Sequence, residues 1–179
     1  MPQQQPFMTD AQGTRRFACS AVAVQAIIVD ADERILLLSS PTRNSSGEWQ
    51  IISGALEASE TVLNGVLREV SEEAGAQIQV RPLGVVHAQT FHFDAQVEYM
   101  IGIYYLCAYE GGAIQPGDDM HDAHYRWWPL EELRAPRVRF HPSTHLWMLE
   151  RAVALHRCWK DQPAVPLQPE LASQDQRRR

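Results

Sequence analysis

Lysine is almost missing from this chain. Lys160 is the single lysine among 16 basic residues, and 22 acidic residues leave a net charge of −6. A nucleic-acid backbone as main partner calls for a basic surface, so this balance argues against one. Cysteine is also scarce. Cys19, Cys107 and Cys158 are an odd number at wide spacing, which excludes a disulfide framework and suits a reducing cytoplasm. No Cys/His cluster has the spacing of a zinc site. No apolar run reaches the roughly 18 residues of a membrane-spanning helix, and the polar N-terminus lacks a signal-peptide core. The expectation is a soluble, cytoplasmic protein without internal repeats.

What is present suffices for one compact domain. A chain of 179 residues with 45% hydrophobic content can bury a sizeable core. Residues 1–15 are polar and read as a flexible N-terminal segment. Residues 16–160 read as the single domain. Residues 161–179 hold three prolines, end in Arg177-Arg178-Arg179 and read as a disordered tail.

Within the domain, β-branched and alternating segments predict strands over 18–29, 35–38, 49–52, 78–90, 97–109 and 124–128. Pro82 and Gly84 should interrupt the fourth. Both residue sets of the fifth, Tyr99/Ile101/Ile103/Tyr105 and Met100/Gly102/Tyr104/Leu106, are largely apolar, so both of its faces should be covered. A helical turn is expected over 129–133. An amphipathic helix is expected over 142–157, with Leu146, Leu149, Val153 and the Trp147 side inward. Strands mixed with helices imply a layered α/β domain.

Residues 54–76 carry the chemistry. They place Glu60, Arg68, Glu69, Glu72 and Glu73 between Gly54 and Gly75. A helix turns about 100° per residue, so Glu73 lies about 40° to one side of Glu69 and Glu72 about 60° to the other. Leu63, Val66, Leu67, Val70 and Ala74 fill the next sector and should face the core. Ser59 is the expected N-cap, Glu60 suits the first turn, and Gly75 suits a left-handed stop. Three carboxylates on one narrow face repel one another. Arg68 can partly neutralise them, and a multivalent cation would relieve the rest. Carboxylate oxygens select hard cations such as Mg²⁺ or Mn²⁺. Such an ion near phosphate points to water attacking a phosphoanhydride.

The spacing resembles the Nudix box: Gly, five residues, Glu, seven residues, then Arg-Glu-apolar-x-Glu-Glu-x-Gly-apolar. Gly54, Glu60, Arg68, Glu69, Val70, Glu72, Glu73 and Gly75 match. Ala76 is smaller than the usual last aliphatic, and Ser53 stands where many members have glycine. The flanks, from Trp49 to Trp127-Trp128-Pro129-Leu130, look similar too.

The resemblance implies a Nudix-type α/β/α sandwich around a mixed β-sheet. It implies hydrolysis of a nucleoside diphosphate linked to another group, with Mg²⁺ or Mn²⁺ as cofactor. It implies Glu69 and Glu73 as principal metal ligands, with Glu72 a third ligand or an orienter of water. The Ser53 backbone carbonyl would be a further ligand. Glu60 and Arg68 would be a structural pair, with Gly54 and Gly75 shaping the ends of the box.

Outside the box, Glu98 is the first candidate for a base, with Asp94, Asp118, Asp119 and His121 as alternatives. His124 stands where relatives often carry an acid. Arg43 and Phe91 are candidate substrate contacts, and Phe93 is a second ring able to stack a base. The substrate reading leans to a nucleoside triphosphate or nucleotide sugar, in any case a small organic diphosphate. Aromatic residues on the strands leave a homodimer open. Two other classes are an isoprenyl-diphosphate isomerase, which would want a reactive cysteine near the site, and a non-catalytic nucleotide sensor.

Overall fold

A computed structural model describes residues 6–41 and 47–162. The elements are β1 (Phe7–Thr9), β2 (Arg16–Ala18), β3 (Ala21–Val29), β4 (Ile35–Ser39), β5 (Ile52–Ala55), α1 (Val62–Ala74), β6 (Gln79–Phe91), β7 (Met100–Gly111), a 3-10 turn at Asp118–Met120, β8 (His124–Trp128), α2 (Leu130–Leu133) and α3 (Leu146–Trp159). The tail expected over 161–179 lies outside the described residues from 163 onward.

The main sheet has six strands in the order β6-β7-β3-β4-β8, with β5 also paired to β3. β3 and β7 run parallel, and the other pairs are antiparallel, so the sheet is mixed. β3 alternates between two cores. Ile27 and Val29 pack with Met148, Leu149, Ala152 and Val153 of α3. Val24, Ala26 and Ile28 pack with Val66, Val70 and Ala74 of α1. A helix on each face gives an α/β/α sandwich, the expected fold class. It also explains why β3 and β4 are almost uninterrupted apolar runs, since side chains on both faces are covered.

Four expectations are corrected. The segment thought loose is ordered in part, because Phe7–Thr9 pairs antiparallel with Arg16–Ala18 as a separate two-stranded ribbon. β7 is covered on one face only along its first half. Met100, Gly102 and Tyr104 are buried while Tyr99 and Ile101 are 40% and 37% exposed. The reason is placement: α1 packs mainly on β3 and β5 and meets β7 further along, at Cys107. Trp147 is exposed, because Leu149, Ala152 and Val153 supply the inner face of α3. Leu63 and Leu67 are only partly buried, so Val66, Val70 and Ala74 hold α1 against the sheet.

The interruption foreseen in β6 is real: the register with β7 shifts between Pro82 and Gly84, where proline has no N–H to offer the ladder. No helix among the described residues is long and apolar enough to cross a membrane.

Candidate metal and hydrolysis site

The site is built where β5 turns into α1. The chain passes through a positive φ at Ser59 (68°), so the helix starts later than expected. Thr61, not Ser59, is the N-cap, and its Oγ1 accepts the Asn64 N–H at 3.2 Å. Glu60 therefore precedes the helix instead of sitting in its first turn. This frees its carboxylate to face back across the loop, where Oε2 accepts the Glu57 N–H at 3.1 Å. Gly65, which the sequence reading passed over, lets Glu60 and Leu56 lie close against the helix, since a Cβ there would meet both.

Arg68 organises the acids. Its Nε and Nη2 donate to the two Glu60 oxygens at 3.0 and 3.2 Å, a forked pair. Nη1 donates to Glu69 Oε1 and to Glu72 Oε2, both at 2.8 Å. Nη2 also donates to the Ala55 carbonyl at 2.9 Å, tying α1 to the end of β5. The Arg68 pair, more than anything else, holds the Glu60 carboxyl below the usual carboxylate range. Glu60 first, then Glu69 and Glu72, raise the Arg68 guanidinium above its ordinary value.

Glu69 and Glu73 are 8% and 2% exposed, whereas the Glu72 side chain is 38% exposed. Glu73 Oε2 accepts the Ser53 backbone N–H at 3.1 Å. In an extended strand a residue's N–H and C=O leave along the same edge. The Ser53 carbonyl therefore shares the β5 edge that faces α1, away from β3. Glu69 lies against Gly54, where a side chain would overlap its carboxylate. At the other end Gly75 caps the helix with φ 107°, and a Cβ there would come within 2.6 Å of the Gln115 carbonyl.

Among the described residues no three His, Cys, Asp or Glu side chains already close into a cation cage; Arg68 holds Glu69 and Glu72. The donors still fit a hard divalent cation. They are all oxygens, two are buried carboxylates on one helix face, and a backbone carbonyl edge and a side-chain-free Gly54 adjoin them.

The residues named outside the box lie on other elements, and the turn at Asp118–Met120 packs against α1. Glu98 precedes β7 instead of lying on it. Asp94 Oδ1 accepts the Gln96 and Val97 N–H groups at 2.7 Å, which marks it as a loop fastener. Asp118 starts the 3-10 turn at φ 49°, beside the end of α1, where Gly117 N–H reaches the Glu73 carbonyl at 3.4 Å. His121 pairs with Asp122, and His124 is exposed on β8. Phe91 ends β6, half-buried, while Phe93 is 62% exposed. Arg43 lies outside the described residues, as does the Asp119 side chain.

Known proteins resemble this arrangement. The NUDIX domain profile matches residues 20–148. An ADP-ribose pyrophosphatase of Methanocaldococcus jannaschii is 30% identical over 116 residues, 65% of this chain and 67% of that protein. The NAD-capped RNA hydrolase NudC of Photobacterium profundum is 34% identical over 116 residues, 64% of this chain and 39% of that protein. The chain spans only about a third of some curated relatives, 32% for a putative nudix hydrolase of Caenorhabditis elegans. Among solved structures, a NUDIX hydrolase from Nitrosomonas europaea superposes with a TM-score of 0.61 at 19% identity, over 76% of this chain and 90% of that one. The MutT protein of Methanosarcina mazei gives 0.58 at 23%, over 77% and 96%. These two likenesses speak to the fold.

Proposed function

This chain belongs to the NUDIX family, and on that premise we propose that it is a divalent-metal-dependent pyrophosphohydrolase. Its substrate is a nucleoside diphosphate linked to a further group. The observation that carries the reading is the pair of buried carboxylates, Glu69 and Glu73, gathered at the Ser53–Gly54 edge. Two relatives from distant organisms, named for ADP-ribose and for NAD-capped RNA, support a substrate with a phosphoanhydride beside a nucleoside.

Glu69, Glu73 and the Ser53 carbonyl would hold Mg²⁺ or Mn²⁺, with Glu72 beside them. The bound ion would offset diphosphate charge and raise the acidity of a coordinated water. The chain supplies the rest. The Glu60–Arg68 fork fixes the loop against the helix, and the Ser53 N–H fixes Glu73. Glu72, the most exposed of the three acids, meets solvent and orients the attacking water or takes its proton. Water oxygen bonds to one phosphorus, the bridging P–O bond breaks, and the other phosphate leaves with the bridging oxygen. Glu72 is preferred over Glu98 as the base because it stands on α1 itself, one residue from Glu73, with its side chain 38% exposed.

The test is a panel of nucleoside triphosphates, ADP-ribose and nucleotide sugars with Mg²⁺ or Mn²⁺. Metal-dependent release of pyrophosphate, or of two monophosphates, is expected from at least one member. Isomerisation without release, or binding without turnover across the panel, would replace this reading with an isomerase or a sensor.

A further inference from the structure

Four buried side-chain polar atoms lack a partner among the described residues, on Arg81, Trp128, His156 and Gln25, and the last faces away from α1 in the middle of the sheet. Gln25, in the middle of β3, is 3% exposed, and its Oε1 accepts no hydrogen bond among the described residues. A buried carbonyl left this way forfeits its hydration with nothing in return, which is rare in folded proteins.

Its surroundings are aromatic and flat. Gly102 lies on the neighbouring strand, and a Cβ there would meet Phe91 Cε1 at 3.1 Å, Tyr104 Cε2 at 3.3 Å and Gln25 Nε2 at 3.5 Å. Two rings and the amide therefore converge over one glycine. The Tyr104 hydroxyl accepts from Gln89 Nε2 at 3.0 Å. From Tyr104 a line of rings leads outward, through His87 at 6.0 Å to Trp147 at 4.9 Å from His87. Trp147 is 44% exposed. The backbone beneath it adjoins the strand that carries the hydrolysis site, although the Gln25 side chain leaves the other face of the sheet. Gln25 is registered with Ser53, whose N–H holds Glu73, and neighbouring strands lie about 4.8 Å apart.

We propose that Gln25 determines base specificity, its Oε1 accepting an amino or ring N–H of the substrate's nucleobase, with Phe91 giving way and lying against the base. This rests on the reading that the site takes a nucleotide. Aromatic faces suit a planar base, and a glutamine amide matches base edges that carry N–H groups. Phe91, as the last residue of β6, is the ring best placed to move.

Calorimetry on the full chain with Mg²⁺ tests this without turnover. The ligands are AMP, GMP and purine riboside 5′-monophosphate, whose base has no N–H. Wild type should bind AMP or GMP about tenfold or more tighter than the purine riboside compound. Gln25→Leu should erase that preference and raise the melting temperature, because it removes the orphan carbonyl. Gln25→Met serves if the leucine variant fails to fold. The preference should persist in Glu73→Gln, so loss of hydrolysis and loss of base selection are separable. Equal binding of all three ligands by wild type, no binding of any, or a preference that survives in Gln25→Leu would overturn the proposal.

Discussion

The Glu69 carboxylate occupies the space that a side chain on Gly54 would need. The glycine is thus a requirement of packing between a strand end and a helix face. Gly54→Ala should leave the fold intact, because the far end of a glutamate can swing away. It should displace one proposed ligand of the site, and a misplacement of about 1 Å is enough for a loss of about 100-fold in turnover. Circular dichroism and steady-state rates together check this.

The Glu60–Arg68 fork predicts both a mutational and a pH effect. Arg68→Lys keeps the charge but not the planar fork, and Arg68→Ala should cost about 1–3 kcal/mol, because acids at Glu60 and Glu69 lose their partner. Since the Glu60 pKa is lowered in the fold, the stability it contributes is present at neutral pH. It is lost as pH falls through and below the ordinary carboxylate range. Denaturant melts from pH 7 downward should therefore show a steeper acid loss in wild type than in Glu60→Gln. Parallel curves would contradict the assignment.

Capping distinguishes two neighbours. Thr61→Ala removes the acceptor of the Asn64 N–H and should cost about 1 kcal/mol. Ser59→Ala, at an exposed loop position, should stay within about 0.5 kcal/mol. Chemical denaturation of the two variants reads the difference.

Cysteine reactivity bears on the isomerase alternative. Cys107 is fully buried in the core beneath α1, and burial pushes its thiol up to about 12. It should resist thiol reagents in the native protein and label only on unfolding, while the exposed Cys158 labels at once. Rapid native labelling of Cys107 would reopen a thiol-dependent reaction.

The sequence made some of this legible and hid the rest for physical reasons. The acids and their arginine lie within one helix and the loop before it. Fixed turn angles convert that spacing into geometry, and the Glu60–Arg68 pair could be read directly. β8 was legible because its ends are marked, by the loop before His124 and by Pro129 after Trp128. The cap moved to Thr61 because Ser59 takes a positive φ, which no local pattern signals. The exposure of Ile101 and Trp147 depends on how far α1 and α3 extend over the sheet, a long-range fact. The Phe7–Thr9 ribbon was missed because its polar neighbours hide a three-residue strand. Gln25 read as an ordinary polar break in an apolar strand, and only the packed sheet shows that its carbonyl has nothing to accept.

The central claim is that α1 carboxylates gather a divalent cation for phosphoanhydride hydrolysis. The most direct measurement is turnover of Glu73→Gln against wild type on whichever nucleotide the panel selects, over a Mg²⁺ and Mn²⁺ titration. Glutamine keeps the shape and the acceptor for the Ser53 N–H but loses the charge. The account predicts an unchanged fold with turnover down by at least about 100-fold at every metal concentration. A folded variant that still turns over at a rate near wild type would contradict it.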